Sequence, residues 1–140
     1  MAGLDRATLR PLDGWDHVVQ SILVIFTTSF GERVLRGWFG SSVPQLLGNS
    51  LTPATVVQFF SAIIACLEVR EVDTGLSREP RFKIVRIAPD GSPEQMRLGT
   101  LRLAITGIYM PRGHLGDTTP QDIRTITLAQ SATGGFETVD

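Results

Sequence analysis

A single cysteine in 140 residues excludes any disulfide within the chain, and with it the stapled scaffold of small secreted domains. That residue, Cys66, lies in the apolar run Ala62-Ile63-Ile64-Ala65-Cys66-Leu67 and reads as a small buried hydrophobe. Charge is scarce too. Only 19% of residues are charged, and 13 basic against 14 acidic side chains leave a net charge of −1. Nucleic-acid binders gather a basic excess on one face, so this balance argues against that class. No long apolar run is present: the densest window, Val56 to Leu67, is broken by Gln58 and Ser61 and is too short to span a bilayer. Near the start, Asp5 stands where a signal peptide would carry its apolar segment. The expectation is a protein without a membrane span, made in a cytoplasm.

Most catalytic signatures are missing as well. Gly31-Glu32-Arg33-Val34-Leu35-Arg36-Gly37 lacks the Gly-Lys-Ser/Thr ending of a phosphate-binding loop. No strand feeds Gly37-Trp38-Phe39-Gly40, so it is not a dinucleotide fingerprint, and no Gly-x-Ser-x-Gly elbow occurs. His17, His114 and Cys66 fall short of the convergent ligands a metal needs, so no metal or cofactor is expected. Paired carboxylates are the one open route, through Glu32, Glu68, Glu71 and Glu79. Arg78 and Arg81 flank Glu79 and favour its charged form, which unsuits it as a general acid. The chain is read as a non-enzyme.

What is present is one domain's worth of aliphatic residues. Hydrophobic residues make up 42% of the chain and aromatics only 7%, and mean hydropathy is +0.11. Either the core is rich or some apolar surface waits for a partner. A first helix fits Trp15 to Thr28, with Asp13 or Asp16 as cap and Trp15, Val18, Val19, Ile22, Leu23 and Phe26 at helical spacing. His17, Gln20 and Ser21 fall opposite. A short helix fits Ser42 to Leu47, capped by Ser42 and stopped by Gly48. The third starts at Thr52-Pro53 and runs to Leu67 with a narrow polar stripe of Thr55, Gln58, Ser61 and Glu68.

Strand signals follow. Phe82 to Ala88, the turn Pro89-Asp90-Gly91-Ser92-Pro93 and a return strand from Met96 to Tyr109 read as an antiparallel hairpin. Leu101, Leu103, Ile105 and Tyr109 share one face, and Thr100, Arg102 and Thr106 the other. After the flexible Pro111 to Pro120 connection, Asp122 to Ala129 reads as a further strand. Ile126 and Leu128 form one face, and Ile123, Thr125 and Thr127 the other. It can pair at home or on another chain's sheet. Ser131 to Gly135 reads as a loose end. The fold class is α+β, with N-terminal helices packed on a small antiparallel sheet. Residues 1–110 form the main domain, and 111–140 a flexible connection with a C-terminal strand.

Two segments stand out. Gly31, Glu32, Arg33, Trp38, Phe39, Gly40 and Ser41 form a turn with a charged pair and an aromatic pair. Adjacent Trp38 and Phe39 do not both fit one small core, so one is a candidate anchor for a partner. The second is Glu79-Pro80-Arg81, where Pro80 extends the backbone and displays an anion and a cation just before a strand.

In this order the segments resemble the phage tail baseplate assembly protein W family. The matching residues are Ile22 to Phe30, Gly31-Glu32-Arg33, Phe39-Gly40-Ser41, Leu46-Leu47, Pro53 to Leu67 and Glu79-Pro80-Arg81, within about residues 15 to 110. The stretch Glu71 to Arg78 is longer than the family's connection, and the tail from Pro111 extends past its core. The resemblance implies a structural part of a virion's contractile tail baseplate, in about six copies, with no nucleic acid or membrane partner. Glu79, Pro80 and Arg81 would meet the helical core bundle of the baseplate wedge. The strand residues Ile123, Thr125, Ile126, Thr127 and Leu128 would template the tail sheath protein. The tail tube or hub would be a further neighbour. An older lysozyme label on the family implies the alternative of a peptidoglycan-degrading enzyme. Type VI secretion and tailocins carry equivalent parts.

Overall fold

The computed structural model describes residues 2–46, 52–68, 70, 78–98, 100–130 and 136–139. The first helix, α1 (Gly14–Thr27), follows Asp13, whose backbone is extended but whose side chain makes no capping bond. Val18, Ile22, Ile25 and Phe26 form its buried stripe. The short α2 (Val43–Leu46) begins directly after its expected cap, Ser42. Ser41, not Ser42, supplies the hydroxyl, accepting from the Val43 N–H at 3.3 Å. The expected stop at Gly48 lies outside the described residues. The third helix, α3 (Pro53–Glu68), starts as the sequence implies: the Thr55 N–H donates to Thr52 Oγ1 at 3.2 Å. Its buried side is Val56, Phe59, Ala62, Ile63, Cys66 and Leu67, while Val57 and Ile64 stay exposed on the other side.

Four strands form one antiparallel sheet in chain order: β3 (Phe82–Pro89), β4 (Arg102–Tyr109), β5 (Asp122–Gln130) and β6 (Phe136–Val139). Along β4 every second residue is buried, so Leu103, Ile105 and Tyr109 face the helices as expected. In β5 the same alternation buries Ile126 and Leu128. Gly107 in β4 leaves room for the Phe82 ring and the Lys83 carbonyl, which a methyl group there would strike. The β3 ladder slips between Ile84 and Arg86. This bulge turns Val85 outward and lets both Ile84 and Ile87 pack on the core, although they are an odd number of residues apart.

Three features depart from the sequence reading. Met96 does not begin the return strand: it lies in a short helix, α4 (Pro93–Arg97), and the strand starts at Arg102. The cause is a reciprocal cap, with the Gln95 N–H on Ser92 Oγ at 3.2 Å and the Ser92 N–H on Gln95 Oε1 at 3.3 Å. An N-terminal ribbon, β1 (Gly3–Leu4) with β2 (Pro11–Leu12), was not anticipated. Neither was β6. It pairs with Thr127 to Gln130 of β5, just beyond Ser131 to Gly135, which lie outside the described residues. Residue 110 falls between β4 and β5, whose pairing runs from Arg102 with Ala129 to Tyr109 with Asp122.

Candidate functional site

Glu79-Pro80-Arg81 sits where three pieces of chain meet. The Phe82 N–H donates to the Glu79 carbonyl at 3.2 Å, and the Met110 N–H to the Arg81 carbonyl at 2.7 Å. Gly113 packs against the Pro80 carbonyl so closely that any side chain would collide with it. The two charges are not displayed. Glu79 is 2% exposed and Arg81 4%, and they close on each other as a fork: Nε to Oε1 at 2.7 Å and Nη2 to Oε2 at 2.9 Å. This corrects the picture of an extended, exposed anion and cation: the Glu79–Phe82 bond closes a turn over Pro80-Arg81, inside which the two side chains bond each other. What faces outward is Pro80, half-buried, at the rim of a groove of about 560 Å³ lined also by Phe82, Lys83, Met110 and Glu68.

The remaining edge of Arg81 reaches α1. Its Nη1 lies 3.0 Å from His17 Nδ1. Since a guanidinium only donates, Nδ1 is the acceptor and the ring proton sits on Nε2. Partial burial, and then the Arg81 charge, hold the His17 pKa below its usual value, with Glu79 pulling the other way. The ribbon covers the ring: a Cβ at Gly3 would stand 2.5 Å from Nε2. Gln20, one turn on, takes the Arg6 N–H at 2.8 Å and gives its amide to the Leu4 carbonyl at 2.9 Å. So the polar side of α1 is a second packing face. It joins the N-terminal ribbon to the Glu-Pro-Arg turn.

The other singled-out segment is a closed loop between α1 and α2. Ser29 and Ser41 form an isolated bridge, and the Ser41 N–H donates to the Thr28 carbonyl at 2.8 Å. Gly40 there has φ +127° and lies against the Thr28 and Ser29 carbonyls, a position that suits only glycine. Ser41 is fully buried and bonds the Phe26 carbonyl at 3.2 Å. Glu32 accepts the Ser29 N–H at 2.8 Å. Gly31 starts the turn at φ +80° and donates to the Gly37 carbonyl at 2.9 Å. The aromatic pair divides as its crowding implies. Phe39 packs on the core with the Arg33 guanidinium 4.2 Å from its ring centre, while Trp38 remains 45% exposed.

Arg78 is the residue that sequence reasoning used only as a neighbour of Glu79. Its Nη1 donates to the carbonyls of Gly40 at 2.8 Å and Cys66 at 3.1 Å, and its Nη2 to that of Trp38 at 2.8 Å. One guanidinium thereby ties the loop to the last turn of α3, beside Glu-Pro-Arg. No local pattern announces this, because its acceptors are backbone atoms from two distant segments.

The strand residues Ile123, Thr125, Ile126, Thr127 and Leu128 all lie on β5 and pair with β4 of the same chain. Across the outer face, Thr106 and Thr125 hydroxyls meet at 3.1 Å. Arg124 lies over Trp15 and Tyr109, with its guanidinium 5.3 Å and 5.5 Å from their ring centres. Of the four carboxylates considered for catalysis, Glu79 is held by Arg81 and Glu32 accepts the Ser29 N–H. Glu68 is exposed on α3, and Glu71 lies outside the described residues. Among the described residues, no three His, Cys, Asp or Glu side chains gather to hold a metal ion.

Fold and site together define an α+β protein whose helices cover one face of an antiparallel sheet, with a buried Glu-Arg fork at the entry to that sheet. No protein-family model matches the sequence, and neither does any curated protein. The solved structures that share the fold include two chains. One is a chain of the pyocin R2 baseplate in its post-contracted state, seen by cryo-electron microscopy. It is 24% identical, with a TM-score of 0.58 over 78% of this chain and 98% of that one. The other is a crystallised chain from Geobacter sulfurreducens provisionally called a tail lysozyme. It is 21% identical, with a TM-score of 0.54 over 81% of this chain and 91% of that one.

Proposed function

We propose that this chain is a structural, non-enzymatic component of the baseplate of a contractile, phage-tail-type particle. The observation that carries the reading is the fold shared with a pyocin R2 baseplate chain over almost the whole of that chain. A phage tail is the favoured setting, and tailocins and type VI secretion machines are the related ones. In this reading Glu79, Pro80 and Arg81 form the contact with the helical wedge bundle. Their charges are satisfied internally, so the pair stiffens the turn, and Pro80 with its groove supplies the contact surface.

The sheet supplies the second contact. On the side of β5 away from β4, β6 pairs only with Thr127 to Gln130. Among the described residues no strand covers Asp122 to Ile126 there. An extended segment of the sheath protein would add to that edge by main-chain hydrogen bonds, and the first sheath ring would start from it.

The name of the Geobacter sulfurreducens chain favours one competing reading, a murein hydrolase. Two experiments separate them. Cryo-electron microscopy of particles carrying a tagged copy is expected to place the chain at the junction of sheath and baseplate; a location elsewhere overturns the reading. Purified protein is expected to leave peptidoglycan intact, and turnover that Glu32→Gln abolishes would establish the enzyme instead.

A further inference from the structure

The loop between Ser29 and Ser41 holds two aliphatic side chains almost wholly in water: Val34 is 97% exposed and Leu35 95%. The segment around them is braced rather than slack. Besides the Gly31–Gly37 bond and the Glu32 carboxylate, the Arg36 N–H donates to the Arg33 carbonyl at 3.2 Å and the Phe39 N–H to the Arg36 carbonyl at 2.9 Å. Arg78 grips the far end through Trp38 and Gly40. A tip held this way loses little freedom when a partner buries it. The aromatics of the loop are not part of the projection. Phe39 lies under Arg33, Trp38 rests edge-on against Phe39 at 6.2 Å, and Phe30 faces the Arg78 guanidinium at 5.2 Å.

Arginines outnumber acids around the tip. Arg33 and Arg36 flank Val34-Leu35 directly, and Arg6 of the N-terminal segment lines the same cleft as Arg33. The one neighbouring acid, Glu32, lines that cleft too and turns its carboxylate to the Ser29 N–H. We propose that Val34 and Leu35 form a rigid knuckle that docks into an apolar socket rimmed by carboxylates on another protein. Apolar centre and charged rim match the layout of protein interfaces, where a few buried anchors carry most of the affinity. A bilayer is the weaker occupant. Two aliphatic side chains bury fewer carbons than one myristoyl chain, which alone holds a membrane only marginally. The inference stands on this loop and does not depend on the baseplate reading.

The test places a photo-cross-linking residue at position 35 of the full chain in the cells that make it, with the adduct mapped by mass spectrometry. The expected adduct is a peptide of a different protein with several Asp or Glu residues beside an apolar segment. Arg36→Glu is expected to cut its yield by at least about tenfold, because it sets like charges against each other at the rim. Val34→Ser/Leu35→Ser touches no core residue and is expected to melt with the parent chain. An adduct to a second copy of this chain, or no adduct, overturns the proposal. So does co-sedimentation of the purified chain with phosphatidylglycerol vesicles that the double serine variant abolishes.

Discussion

Arg81 and Glu79 are two residues apart in the chain and bond each other through both carboxylate oxygens, at 2.7 Å and 2.9 Å, in a nearly water-free site. Both groups are buried, so neither is open to a partner outside the fold. Removing one member strands its fellow, and an uncompensated buried charge is costly.

Arg81→Ala is therefore expected to lower unfolding stability by about 3–5 kcal/mol. The double change Glu79→Gln/Arg81→Met keeps the volume, removes both charges and is expected to cost markedly less. Urea denaturation of the purified variants measures both.

Arg78 gathers three carbonyls from two segments, and its planar fork is what reaches them together. Arg78→Lys retains the charge but not the fork. It is expected to destabilise the chain by about 1–3 kcal/mol, the scale of unsatisfied buried acceptors. Hydrogen exchange at the Phe39 and Ser41 amides should speed up while that of β4 keeps its pattern.

His17 is neutral in the fold because burial and Arg81 lower its pKa below the ordinary 6.5. The unfolded chain binds the proton more readily, so stability is expected to fall as pH drops below about 6.5 and to level off once the folded form protonates too. A His17→Gln variant should lose that slope. Thermal melts from pH 8 to pH 5 decide it.

Burial among apolar side chains pushes the Cys66 thiol from 9.0 up to about 12. Below pH 9 the thiol is neutral in both states and neutral for stability. Between pH 9 and about 12 the unfolded chain sheds the proton first, so stability should decline there, and Cys66→Ala should flatten the decline. Iodoacetamide at pH 8 should label the native protein only through opening of the fold.

The sequence disclosed those parts that repeat. α1, α3, β4 and β5 each carry a full stripe of apolar residues at the period of their element, and Thr52-Pro53 marks a helix start that the fold respects. The ribbon of Gly3-Leu4 with Pro11-Leu12 is too short to have a period. α4 carried a readable signal in Ser92 and Gln95, masked by the turn residues around it. Glu-Pro-Arg was visible as a motif, but the direction of its charges was not. Arg81 turns inward to meet His17, 64 residues away, and Gly113 makes room for the Pro80 carbonyl; neither lies near the motif in sequence. The reach of Arg78 was hidden for the same reason.

The slip between Ile84 and Arg86 has a consequence for anything that lengthens the sheet. A newcomer laid along β3 would fall out of step at Val85 and would meet Lys83, Arg86 and the missing N–H of Pro89. On the opposite border β6 covers Thr127 to Gln130 of β5, and among the described residues no strand covers Asp122 to Ile126. The two borders are thus unequal: the β3 border is guarded along its length and the β5 border is only half covered, so an added strand is expected to choose the second.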